Sequence, residues 1–102
     1  MEKRIENIQK MEEILESHTK ELEKLNQALD EFEKSLEREQ ELDHYYTDGG
    51  YSEDVTAYEE GKIPKEVRCG VLSEDLVYDM FGENYNLALR LMELGLAMIK
   101  RN

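Results

Sequence analysis

The chain has 102 residues, of which 25 are acidic and 13 basic, giving a net charge of −12 at pH 7. About 100 residues is the usual size of one domain and excludes a catalytic domain standing beside a regulatory one. The negative charge repels phosphate backbones and anionic lipid headgroups, so neither direct nucleic-acid binding nor attachment to a membrane surface is expected.

Residues 2–43 are rich in Glu, Leu, Lys and Gln and contain no Gly or Pro. Ile8, Met11, Leu15, His18, Leu22, Leu25, Leu29, Phe32 and Leu36 follow one another at alternating steps of three and four. Those steps put side chains on one stripe of an α-helix, and a stripe so narrow asks for one partner helix. The spacing predicts a single long heptad helix over 2–43. Oppositely charged pairs such as Glu6 with Lys10, Glu16 with Lys20 and Asp30 with Lys34 each support it by about 0.2–0.5 kcal/mol. Acids at Glu2, Glu16, Glu23, Asp30 and Glu37 form a row beside Lys3, Lys10, Lys24 and Arg38, so the outer face is interlaced. Residues 1–43 carry 14 acids and 7 bases and hold most of the excess charge.

Residues 44–72 change character. Tyr45, Tyr46, Tyr51 and Tyr58 stand among the turn-forming Asp48-Gly49-Gly50, Gly61, Pro64 and Gly70. The segment reads as a folded connection. Ser52-Glu53-Asp54 suits a helix start and Gly61 its end, and Pro64 can open another single turn that stops at Gly70.

Residues 73–100 read as the last helix. Ser73 is placed to cap it, a contact typically worth about 1 kcal/mol, and Leu72 and Val77 stand in the positions of a hydrophobic staple. Two apolar rows run along it. Val77, Met80, Leu87, Leu91, Leu94 and Met98 make one, with Asn84 inserted, and Tyr78, Phe81, Tyr85, Ala88, Met92, Gly95 and Ile99 make the other. With Leu89 and Leu96 beside them, this helix must be covered on more than one side.

At ~1.5 Å per residue the first helix is about 63 Å long and the last about 42 Å, so their seams cannot be fully mutual within one chain. The expected fold is therefore all-α: a single helical domain in which the long N-terminal helix packs against the C-terminal helix as a helical hairpin. The connection bears short helices, and a second copy completes a four-helix arrangement in a homodimer.

Few residues offer chemistry. His18 occupies a seam position and His44 suits the end of the first helix, both structural places for an imidazole. Two His and one Cys, dispersed at 18, 44 and 69, lack zinc spacing. Cys69 follows Arg68, a cation of the kind that activates thiols, but no His stands near it in sequence and a small packing residue is the simpler expectation. As the only cysteine it permits no intramolecular disulfide, which makes the cytoplasm the expected compartment. Met1-Glu2-Lys3-Arg4 has no apolar run behind it, unlike a secretory signal. Leu87 to Ile99, the most apolar stretch, is interrupted by Arg90 and Glu93 and is too short to span a membrane. Asp48-Gly49-Gly50 lacks both the alternating oxygen ligands of a calcium loop and the lysine of a phosphate loop. No catalytic residue, cofactor or metal is expected. All six tyrosines, Tyr45, Tyr46, Tyr51, Tyr58, Tyr78 and Tyr85, fall within 41 residues and form the candidate interaction surface, against the simpler alternative that they rim a small core.

Gly61-Lys62-Ile63-Pro64, followed by the run Arg68-Cys69-Gly70-Val71-Leu72-Ser73-Glu74-Asp75-Leu76-Val77-Tyr78-Asp79 and preceded by an acidic heptad helix ending in Tyr45-Tyr46, resembles an uncharacterised bacterial family. Its members are small acidic helical proteins with a domain of unknown function, common in Gram-positive bacteria. The resemblance implies a cytoplasmic, all-helical protein and carries over no site residues.

Two functions from different classes fit. One is a non-enzymatic protein–protein interaction module, a homodimer offering its tyrosine-bearing part to another protein. The other is an acidic inhibitor or decoy that occupies a basic nucleic-acid-binding site on an enzyme. The interlaced Lys3, Lys10, Lys24 and Arg38 speak against the decoy, because a phosphate mimic needs uncompensated rows of negative charge. An enzyme built on Cys69 lacks a base and an oxyanion donor set.

Overall fold

The computed structural model describes residues 1–101. Its elements are helices α1 (Glu2–Asp48), α2 (Tyr51–Glu59) and α3 (Glu74–Lys100), with a 3₁₀ turn over Gly70–Leu72 between α2 and α3. There is no strand among the described residues, so the all-α expectation holds, with one long helix at each end of the chain. The chain divides into two compact units, Met1–Thr47 and Asp48–Asn102.

The first unit is α1 without its last residue. The helix runs five residues beyond the expected end at 43 because nothing there stops it. The composition shifts at His44, but a helix ends where the backbone must leave it, and the first such place is Gly49-Gly50, where Gly50 takes φ +107°. The Thr47 hydroxyl donates back to the Asp43 carbonyl at 2.9 Å, which keeps this residue within the helical turn. Of the expected surface pairs, Glu16 and Lys20 close at 3.4 Å; Glu21 and Lys24, not among them, close at the same distance. All four side chains are well exposed, so each pair contributes only a few tenths of a kcal/mol.

The second unit begins with α2. This helix starts at Tyr51 behind Gly50, one residue before Ser52, whose side chain therefore does not cap it; the first intrahelical bond runs from the Asp54 N–H to the Gly50 carbonyl at 3.1 Å. The far end falls at Gly61, as expected. Gly61 adopts φ +75°, its N–H donates to the Tyr58 carbonyl, and the Lys62 N–H donates to the Ala57 carbonyl, both at 3.0 Å. This paired closure satisfies two carbonyls that the helix end would otherwise leave bare, and it needs a residue at ease in the left-handed region.

Pro64 opens a turn, closed by the Val67 N–H to the Pro64 carbonyl at 3.1 Å, but no helix reaches Gly70 from there. Gly70 instead begins the 3₁₀ turn that leads into α3. There the boundary is as expected: Ser73 is the residue before the first turn, with extended backbone (φ −81°, ψ 115°). Its hydroxyl makes no capping bond, however, and the acids Glu74 and Asp75 in the first turn remain to meet the positive end of the helix. Val77, one of the two staple residues, is the one fully buried side chain among the described residues, at 4% exposure, and Leu72 is half-buried. The ties between α2 and α3 include the 3₁₀ turn, the staple position, and the Tyr51 hydroxyl, which donates to the Leu72 carbonyl at 3.2 Å across 21 residues of sequence.

Candidate interaction surface

Over its first four turns burial sorts the apolar residues of α3 by face, and beyond Leu87 both rows are open, Leu91, Leu94 and Met98 included. Val77, Met80, Phe81, Asn84 and Leu87, all buried or half-buried, lie within one arc of the first four turns. Asn84, the polar member of that arc, donates from Nδ2 to the Met80 sulfur at 3.4 Å one turn earlier, so part of its hydrogen-bonding capacity is met inside the helix. One helical edge further round, at steps of seven, stand Tyr78, Tyr85, Met92 and Ile99, exposed by 71, 67, 73 and 75%. Steps of seven fall nearly in line on a helix, drifting by about 20° each, so these four form a gently winding apolar stripe along most of α3. Leu89 and Leu96 flank it and are exposed as well.

The six tyrosines do not share one environment. Tyr78 and Tyr85 belong to the open stripe. Tyr51 is half-buried with its hydroxyl bonded to Leu72, which is the structural use expected of an aromatic with a polar tip. Tyr45 and Tyr46 are half-buried on the last turns of α1. Tyr58 is exposed and borders a shallow depression with Ile63, Pro64, Val67 and Cys69. Met92 and Ile99 extend the stripe beyond the tyrosines. Their spacing from Tyr85 was readable, but which side of the first four turns is covered depends on how the Val77 staple rotates the helix, and that is a tertiary fact.

The depression beside Tyr58 offers few groups that bear chemistry. Its lining supplies one thiol, one phenol, one lysine and backbone, with no imidazole or carboxylate. The Cys69 thiol donates to the Val67 carbonyl at 3.4 Å, a short-range contact within the turn. Among the described residues no group of three or more His, Cys, Asp or Glu is placed to hold a metal ion, and no helix is long and apolar enough to cross a membrane.

On α1 the expected seam is an apolar stripe that is open to solvent over its first half. Ile8, Met11, Leu15, Leu22 and Leu25 are all exposed, as are His18 among them and Ile5 and Ile14 beside them, while Leu29 and Phe32 further along are half-buried and Leu36 is exposed again. No curated protein and no solved structure matches the chain. A family model does, over residues 8–94, from within the first heptads to the apolar half of α3, and the chain therefore belongs to the family of a domain of unknown function, DUF4298.

Proposed function

We propose that the chain is a non-enzymatic helical module that self-associates through α1 and presents the stripe of α3 to another protein, the 102 residues working as one unit. The observation that supports it is the mismatch between apolar content and burial. Both long helices carry continuous apolar rows, yet Val77 alone is fully buried among the described residues. Exposed apolar patches of this extent on a soluble chain mark interaction surfaces. Tyr78, Tyr85 and Met92 are of the residue types that dominate such surfaces, because they bury much area for little rotamer entropy or adapt to irregular partners.

The acids of α1 fit this role by keeping an otherwise sticky rod soluble. The cytoplasm, with its reduced thiols, suits the single Cys69. A decoy of basic enzymes would need the negative rows uncompensated, and the interlaced lysines oppose that.

The test is affinity capture from native cytosol at low and moderate salt, with the wild-type chain and with Tyr78→Ala/Met92→Ala. The reading predicts a retained protein that survives moderate salt and is lost with the double variant. Capture restricted to basic nucleic-acid enzymes that fall away as salt rises would support the decoy instead.

A further inference from the structure

Resting on the reading that the chain associates with itself, we propose that α1 pairs antiparallel with α1 of a second copy, in the register that sets Leu22 of one against Leu25 of the other and Arg4 of one against Asp43 of the other. Extending the seam by its own steps of three and four gives Arg4 before Ile8, and Glu39 and Asp43 after Leu36. In an antiparallel pair the two alternating seam positions face each other across the twofold axis, and every contact occurs twice. The register then brings Met11 to Leu36, Leu15 to Phe32 and His18 to Leu29 of the second copy, a largely apolar core just under four heptads long, with Ile8 facing Glu39 beyond each end of it.

Two features select this occupant. The first is length. The seam from Arg4 to Asp43 covers 40 residues, about 60 Å of helix, whereas α3 with 27 residues spans about 40 Å and α2 with 9 far less. Of the helices this chain can offer, only another α1 covers the seam from end to end.

The second feature is charge. The seam is basic at one end and acidic at the other, so antiparallel pairing joins Arg4 to Asp43 at both ends of the rod. Parallel in-register pairing would set Arg4 on Arg4, Glu39 on Glu39, Asp43 on Asp43 and His18 on His18, a row of like groups that penalises that arrangement. The antiparallel register has one like-charge encounter, Glu12 beside Glu33 of the second copy. It lies on the flank of the seam, where water and salt screen it.

The experiment uses the full chain in a Cys69→Ser background, with Met11→Cys and Leu36→Cys made separately and oxidised alone and as an equal mixture. The mixture is expected to form a disulfide-linked pair of one chain of each kind, and the link should be lost when either variant is oxidised alone. Self-linking of Met11→Cys, or no linking in a mixture that light scattering shows to be dimeric, overturns the register while leaving self-association standing. A monomer in light scattering overturns both. As a check independent of cysteine, Arg4→Glu should weaken the dimer and Arg4→Glu/Asp43→Arg restore it; a parallel pair would not be rescued by the second change.

Discussion

Val77→Ala is the sharpest probe of what holds the second unit together. The substitution deletes two methyl groups from the one side chain that is fully buried among the described residues. At about 0.8 kcal/mol per buried carbon, plus a partial cavity term because half-exposed neighbours can collapse inward, the loss is about 2 kcal/mol. Alanine is the better helix former by roughly 0.5 kcal/mol, which leaves a net destabilisation of about 1–2 kcal/mol. Leu76→Ala, one residue earlier, removes a larger side chain that is 60% exposed, and should change stability by roughly 0.5 kcal/mol or less. Urea unfolding followed by helical circular dichroism, at one fixed protein concentration so that association does not vary, gives both values from the shift in midpoint. Equal effects of the two substitutions, or a Val77→Ala effect below that of Leu76→Ala, would refute the assignment of Val77 as the anchor.

Other consequences follow from single contacts. Gly61→Ala forces an L side chain into φ +75° and should destabilise by about 1 kcal/mol in thermal melts, whereas Gly70→Ala should be near neutral, since its added carbon would meet the Leu76 Cδ1 at an ordinary 3.5 Å. Tyr51→Phe removes the donor to the Leu72 carbonyl and should lower stability by about 0.5–1 kcal/mol, water being able to reach the half-buried carbonyl in its place. Ser73→Ala should stay within about 0.5 kcal/mol of wild type by urea titration, because the hydroxyl makes no capping bond; a loss near the ~1 kcal/mol of an ordinary cap would show that the bond forms in solution.

The sequence carried the helices more faithfully than their edges. Heptad spacing, absence of Gly and Pro, and glycine placement are local signals, and they located α1, the Gly61 closure of α2 and the first residue of α3. The errors came where composition stood in for a backbone requirement. His44 looked like the end of α1, but the stop is Gly49-Gly50; Ser52 and Ser73 looked like caps, yet Gly50 precedes α2 and the Ser73 hydroxyl makes no capping bond. Pro64 does open a turn, but that turn closes at Val67, short of Gly70, where the 3₁₀ turn starts. The tyrosines show the same limit from the other side. Residue type marked all six alike, and only the packing of the Leu72–Val77 region separates Tyr51, tied to a carbonyl, from Tyr78 and Tyr85, standing open on α3.

The central claim is that the apolar stripe of α1 is built for a second copy, and the particle mass in solution tests it most directly. Light scattering across a dilution series should give twice the 12.0 kDa of one chain at high concentration and fall to that of one chain for Leu15→Glu/Leu22→Glu. A wild-type mass that stays at 12.0 kDa at the highest concentration would contradict it.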